Sequence, residues 1–141
     1  MAEILILEDD EELPYIFTIT LESLLPKQKV LLGTTFRIVQ TSRQFLDYLQ
    51  DGGQAGLYFL DDRVPKDSGC PIDPFFLIHY HALLTHNPEA RVFYTGGAPT
   101  CETETFCLGK GVPLIQKEQV PALAVKTLLE YHHPFSLTPK N

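Results

Sequence analysis

The chain has 141 residues and a formal net charge of −7, and 44% of its residues are hydrophobic. This length suits one domain with a full hydrophobic core and is short for two. The acidic balance argues against a nucleic-acid partner, which would need a basic face, and suits a site that gathers cations. Three cysteines without metal-site or disulfide spacing predict reduced thiols. Because no signal-peptide pattern or membrane-length apolar run occurs, we expect a cytoplasmic protein without a membrane partner.

The first part of the chain alternates short apolar runs with helical patterns. Residues 4–7 are apolar over too short a run for a helix and predict a buried strand, and residues 12–25 then carry apolar side chains at helical spacing. The β-branched run at 34–41 predicts a second strand. Residues 42–53 predict a helix with Ser42 as its N-cap and two glycines at its end.

The same alternation continues to the end of the chain. Further strands are predicted at 57–60, 90–97 and 112–117, and further helices at 74–88, 103–111 and 119–133, the last with Leu123, Leu128 and Leu129 facing inward. Short, wholly apolar strands that alternate with helices imply a parallel sheet covered on both faces. We therefore predict a doubly wound, five-stranded (βα)₅ fold of the α/β class for residues 1–133, followed by a short tail at 134–141.

Polar residues stand at the carboxyl ends of four predicted strands. They are Glu8 and Asp9, Asp61 and Asp62, Thr95, and Lys117. Because open parallel sheets bind ligands at this edge, we expect these side chains to converge there. Acids at strand ends are often solvated loop residues, and for Glu8 and Asp9 alone that interpretation is favoured. Because Asp61, Thr95 and Lys117 stand at the corresponding ends of other predicted strands, a binding site is favoured over solvated loop residues.

The chemistry that this set supports is phosphoryl transfer. Three carboxylates make a hard oxygen site that suits Mg²⁺ and leaves room for a phosphate oxygen. A metal beside an aspartate neutralises an incoming phosphoryl group and lets the carboxylate act as the nucleophile, which gives an aspartyl phosphate. Lys117 would offset the phosphoryl charge, and Thr95 would donate a hydrogen bond to one of its oxygens.

The stretches ILILEDD, LYFLDDRVP, VFYTGG and LIQK, in this order, resemble the receiver domain of two-component response regulators over nearly the whole chain. The resemblance implies a flavodoxin-like receiver fold and a bound Mg²⁺, with Mn²⁺ as a substitute. It also implies Mg²⁺-dependent phosphorylation and autodephosphorylation, with a bacterial sensor histidine kinase or phosphotransfer protein as the phosphoryl donor. The expected output is a contact with a downstream protein through residues 99–132.

The resemblance also chooses between the two acids after the third strand. In the family, a proline stands four residues beyond the phosphoacceptor, and Pro65 stands four beyond Asp61. Asp61 is therefore the expected acceptor, and we expect Asp62 to be solvated.

The other family positions follow by the same matching. Asp9 is implied as a direct metal ligand, Glu8 as a ligand through water, and the backbone carbonyl of Arg63 as a further ligand. Thr95 is implied as the switch hydroxyl and Lys117 as the family's lysine.

Three positions depart from the family pattern. Leu114 stands where an aromatic switch residue is usual, Glu118 where a proline follows the lysine, and Gly96 where alanine is common. These departures keep open an alternative, a phosphorylation-independent receiver-like scaffold. A phosphatase of the haloacid dehalogenase type is disfavoured, because it needs an aspartate two residues after the nucleophile, where Arg63 stands.

Overall fold

The computed structural model describes residues 3–9, 15–16, 19–20, 22–23, 34–69, 72–74, 76–97 and 99–132. In these ranges the strands are Glu3–Leu7 (β1), Thr35–Val39 (β2), Leu57–Leu60 (β3), Arg63–Pro65 (β4), Ile72–Pro74 (β5) and Arg91–Tyr94 (β6). The helices are Ser42–Gln50 (α1), Phe76–His86 (α2), Cys101–Lys110 (α3) and Val120–His132 (α4), and a short 3-10 helix spans Lys117–Gln119. No helix in these ranges is long and apolar enough to cross a membrane.

Two predicted segments lie wholly or partly outside the described residues. Of the helix predicted at 12–25, the described residues at 15–16, 19–20 and 22–23 are helical, and the rest lie outside. The predicted tail at 134–141 lies outside as well.

Four strands form a parallel sheet in the order β2-β1-β3-β6. The predicted parallel α/β class is confirmed, but the strand predicted at 112–117 is reduced to a single parallel bridge between Tyr94 and Leu114. Around this bridge the Tyr94 amide donates to the Pro113 carbonyl, and the Ile115 amide donates to the Tyr94 carbonyl. Pro113 has no N–H to extend the ladder, and the 3-10 helix that begins at Lys117 ends the extended run.

Strands β4 and β5 form a short antiparallel pair that the sequence did not predict. Each has only three residues, and both lie in a proline-rich stretch that is typical of a loop. In this pair Arg63 lies opposite Pro74.

The hydrophobic core lies on both faces of the parallel sheet. On one face the strand residues Leu5, Leu7, Tyr58, Leu60 and Tyr94 pack with residues of α1, α2 and α3. On the other face Ile4, Ile6, Leu57, Phe59 and Phe93 pack with Val120 and Ala124 of α4. Alternate residues of a strand point to opposite faces, so a sheet covered on both sides requires the continuous apolar runs seen in β1 and β3.

The inward face of α4 differs in part from the prediction. Leu129 packs against the core as expected but is only partly buried. Leu123 is also partly buried, and the Leu128 side chain lies outside the described set. The small residues Val120 and Ala124 are fully buried in their place, so α4 lies close against the sheet.

The N-cap of α1 is Thr41 and not Ser42. The Thr41 hydroxyl accepts a hydrogen bond from the Gln44 amide at 3.0 Å, as an N-cap does. Ser42 does not cap α1. Its hydroxyl oxygen lies 2.8 Å from Nε2 of His79, and this contact links α1 to α2.

Candidate functional site

Sheet hydrogen bonds run one residue past the ends of β1, β3 and β6. The amides of Glu8, Asp61 and Thr95 donate to carbonyls of the neighbouring strands at 3.0, 3.1 and 2.9 Å. These three residues are therefore held side by side at the carboxyl edge of the sheet, where the sequence predicted a site.

Lys117 connects the acids that follow β1 and β3. Its Nζ lies 2.9 Å from Oε1 of Glu8 and 3.0 Å from Oδ2 of Asp61. The side chains of the two acids are 2% and 3% exposed, whereas 27% of the lysine side chain remains exposed. A buried carboxylate is costly unless it is paired, so the shared ammonium stabilises the two acids in adjacent buried positions.

The second oxygen of Asp61 is held by the backbone that follows it. Its Oδ1 accepts hydrogen bonds from the amides of Asp62, at 2.6 Å, and of Arg63, at 3.2 Å. The Asp61 carboxylate is thus oriented from both sides, by the lysine on one oxygen and by the turn after β3 on the other.

Glu8, Asp9 and Asp61 form a group of three carboxylates that could hold a metal ion. One oxygen from each lies within 4.8 Å of the others. Three carboxylates and one ammonium leave two uncompensated negative charges when all four groups are ionised, which matches a divalent cation. An all-oxygen set of this kind suits hard cations such as Mg²⁺.

The electrostatics of the site act on Asp9 and Lys117 in different ways. Burial raises the pKa of Asp9 above its usual value, and the negative charge of Asp61 raises it further. Burial alone would lower the pKa of Lys117, but its hydrogen bonds and charge interactions with Glu8 and Asp61 outweigh burial and raise the pKa. The lysine therefore stays charged at neutral pH, and a proton on Asp9 competes with a cation.

Thr95 and Arg63 both lie next to the acids. Thr95 directly follows β6 and is 3% exposed. Arg63 begins β4 with an exposed side chain, and Pro74 opposite it has no N–H. Pro74 therefore cannot donate a hydrogen bond to the Arg63 carbonyl.

The expectation that Asp62 is solvated is wrong, because Asp62 is only 2% exposed. Its Oδ2 accepts a hydrogen bond from the Tyr94 hydroxyl at 3.0 Å, and its Oδ1 accepts one from the Phe76 amide at the start of α2 at 3.3 Å. Tyr94 is itself 1% exposed, and a buried tyrosine hydroxyl needs a polar partner. A tyrosine that closes a buried strand is the feature of the sequence that could have pointed to this pair.

The same pair explains why glycine occupies position 96. A Cβ atom on Gly96 would overlap the Tyr94 hydroxyl and lie 2.7 Å from Cβ of Asp62. Alanine does not fit here while Tyr94 fills the space, so this departure from the resembled family has a steric cause.

No protein-family model matches the sequence, and no curated protein matches it. Solved structures do match, and they include a CheY-like response regulator receiver domain protein from Methanospirillum hungatei, with 18% identity, a TM-score of 0.64 and 94% of each chain covered. The chemotaxis protein CheY4 of Vibrio cholerae is 15% identical with a TM-score of 0.63, over 92% of this chain and 98% of that one. The BeF3-activated DrrB receiver domain is 19% identical with a TM-score of 0.62, over the same shares.

These likenesses establish that the chain has the fold of response regulator receiver domains. The fold implied by the sequence resemblance is thereby confirmed. Within it, the acidic cluster of Glu8, Asp9 and Asp61, in which Glu8 and Asp61 are buried and Asp9 is partly buried, fits phosphoryl acceptance by an aspartate.

Proposed function

We propose that the chain is a response regulator receiver domain that accepts a phosphoryl group on Asp61 from a histidine kinase or a phosphotransfer protein. The observation that carries this proposal is the pairing of Asp61 with Lys117 beside Glu8 and Asp9 at the carboxyl edge of a receiver fold. Asp62 is the nearest competing acid, but its oxygens engage Tyr94 and the start of α2.

Four groups would hold Mg²⁺, or Mn²⁺ in its place. They are the carboxylates of Asp9 and Asp61, Glu8 through a water, and the Arg63 carbonyl. Bound Mg²⁺ supplies positive charge that offsets the phosphoryl oxygens as they approach the carboxylate.

Besides the cation, the transfer needs a nucleophile and positioned hydrogen-bond donors. A carboxylate oxygen of Asp61 attacks phosphorus, a P–O bond forms, and the P–N bond to the donor histidine breaks with its electron pair left on the imidazole, which takes a proton from solvent. Lys117 then hydrogen-bonds a phosphoryl oxygen, and the Thr95 hydroxyl donates to another. Autodephosphorylation follows when water attacks phosphorus and the bond to the Asp61 oxygen breaks, which releases inorganic phosphate and restores the carboxylate.

The signal would pass to a downstream protein through residues 99–132, which contain α3 and α4. Lys117 lies on the 3-10 helix that runs directly into α4 at Val120. When the phosphoryl group draws Lys117 away from Glu8, the start of α4 is displaced with it, and this biases an existing two-state equilibrium. This route does not need an aromatic residue at position 114. In this proposal residues 1–133 form one cytoplasmic receiver domain, and residues 134–141 are a tail.

Intact mass spectrometry with acetyl phosphate as the donor tests the proposal. With Mg²⁺ we expect one phosphoryl adduct on the wild type, none on Asp61→Asn, and none when Mg²⁺ is chelated. Asp51→Asn, which neutralises an exposed acid after α1, is the matched control and should take the adduct as the wild type does. An adduct on Asp61→Asn would refute the choice of acceptor.

The alternative is a receiver-like scaffold that binds its partner without phosphorylation. Leu114, which is partly buried at the bridge with Tyr94, favours it, because no aromatic side chain is present there to report phosphorylation. A folded wild type that takes no adduct and binds no Mg²⁺ in calorimetric titration would support the scaffold over the phosphoacceptor.

A further inference from the structure

Asp62 and Tyr94 form a buried polar pair next to the site, and the phosphoryl transfer above does not use either side chain. Both residues are at most 2% exposed, and the Tyr94 hydroxyl donates to Oδ2 of Asp62 at 3.0 Å. Burial, together with the charge of Asp62, raises the pKa of Tyr94, so its hydroxyl remains a donor throughout the physiological range.

Asp62 ties the turn after β3 at three points. Its amide donates to Oδ1 of Asp61 at 2.6 Å, its Oδ1 accepts from the Phe76 amide at 3.3 Å, and its Oδ2 accepts from Tyr94. The residue that follows Asp61 is thereby fixed to the start of α2 and to the end of β6. If this tie were absent, the backbone of residues 61–63 would have fewer constraints on its position.

The same backbone supplies two groups that matter for a cation. The amides of Asp62 and Arg63 orient the Asp61 carboxylate, and the Arg63 carbonyl is the ligand proposed above. Groups that hydrogen-bond the ligands of a metal set their orientation, and the loss of such a group lowers metal affinity on the order of 10–100-fold.

We propose that Asp62 and Tyr94 are positioning residues that set the Mg²⁺ affinity of the site by holding the turn of residues 61–63. This inference rests on the proposed function, because it takes the acid cluster to be a Mg²⁺ site. Gly96 supports this inference, because the Tyr94 hydroxyl and Asp62 occupy the space where a side chain at position 96 would lie.

The test compares Tyr94→Phe, Asp62→Ala and the double variant with a matched control. Tyr58→Phe is that control, because Tyr58 is a fully buried tyrosine on β3 whose hydroxyl accepts from the Ala55 amide at the opposite end of the sheet. Mg²⁺ affinity is measured by calorimetric titration of the full chain, and amide hydrogen exchange of Phe76 is measured by NMR without metal.

We expect Tyr94→Phe to weaken Mg²⁺ binding on the order of tenfold. The double variant should lose little more than the larger single loss, since both changes break the same hydrogen bond. Exchange at the Phe76 amide should quicken in Asp62→Ala and in Tyr94→Phe, and Tyr58→Phe should match the wild type in affinity and in exchange at Phe76.

Three results separate this inference from the proposed function. Wild-type Mg²⁺ affinity in Tyr94→Phe, or additive losses in the double variant, overturns the inference while the proposed function stands. A wild type that binds no Mg²⁺ refutes the proposed site and, with it, the role of the pair in metal affinity. Unchanged exchange at Phe76 in Asp62→Ala, which removes both carboxylate oxygens, overturns the tie itself, whatever the metal does.

Discussion

Replacing Gly96 with alanine is expected to destabilise the protein through one defined clash. The added methyl group would overlap the Tyr94 hydroxyl and lie 2.7 Å from Cβ of Asp62. Gly96 is not among the glycines with positive φ, so its backbone conformation is open to alanine and the effect is steric. The tyrosine ring is fully buried and cannot move aside without disturbing its neighbours.

The size of the effect follows from two contributions. Overpacking of a filled site costs about 1–3 kcal/mol. The displaced Tyr94 hydroxyl also loses its hydrogen bond to the Asp62 carboxylate, and such bonds contribute about 1.5–3 kcal/mol. Because relief of the clash and loss of the bond overlap, we expect a net loss of about 3 kcal/mol, which for a domain of this size lowers Tm by roughly 10 °C.

Urea unfolding monitored by circular dichroism measures this loss, with an unchanged m-value as the sign that only stability has changed. Gly109→Ala is the matched control, because Gly109 lies within α3 and a Cβ there meets nothing within 4 Å. That change should stabilise the protein by about 0.5–1 kcal/mol, as glycine to alanine does in a helix.

Tyr94→Phe in the Gly96→Ala background separates the two contributions. It should cost less there than in the wild type, because the methyl group has already displaced the hydroxyl. If Gly96→Ala were as stable as the wild type, the site would not be filled as described, and the explanation of the glycine by the Asp62–Tyr94 pair would fail.

Three further changes test the charges of the site and the core. Lys117→Met should lower the unfolding free energy at pH 7 by roughly 3 kcal/mol, the low end for buried pairs, with partial recovery in Mg²⁺. In the wild type the pKa of Lys117 is raised, so the ion pairs stabilise the fold fully below the ordinary lysine pKa. This stabilisation is lost as the pH rises through the higher pKa of the folded state, and urea unfolding at several pH values measures the loss. Asp9→Asn should raise Tm at neutral pH without metal, because the raised pKa of Asp9 makes its ionisation unfavourable to folding, and the same variant should lose the gain in Tm on adding Mg²⁺. Burial lowers the pKa of His79 from 6.5 to about 4, so the wild type should lose about 3 kcal/mol more than His79→Gln as the pH falls from 6.5 to 4. Parallel stability curves for the two proteins would contradict the buried neutral histidine.

The location of the site could be predicted because it depends only on which strands are buried in a parallel sheet. The continuous apolar runs of β1 and β3 can only be buried on both faces of a parallel sheet, and the residues after them then meet at one edge. The sequence predicts Glu8 and Asp61 at this edge, and the structure brings them together there with Lys117 between them.

What could not be predicted depends on contacts between distant residues. Asp61 and Asp62 are adjacent acids with the same local preferences, and only the position of Tyr94, 32 residues away, draws Asp62 into the core. Thr41 and Ser42 are likewise adjacent hydroxyls with similar capping preference, and His79 engages the second from 37 residues away.

The position of the phosphoryl group on the chain tests most directly whether Asp61 is the phosphoacceptor. The protein is phosphorylated with acetyl phosphate and Mg²⁺, the acyl phosphate is reduced with borohydride to homoserine, and the peptide that spans β3 and β4 is sequenced by mass spectrometry. We expect homoserine at position 61 with Asp62 unchanged, because Asp61 faces Lys117 and the acid cluster while Asp62 faces Tyr94. Homoserine at position 62, or aspartate at both positions, would contradict this expectation.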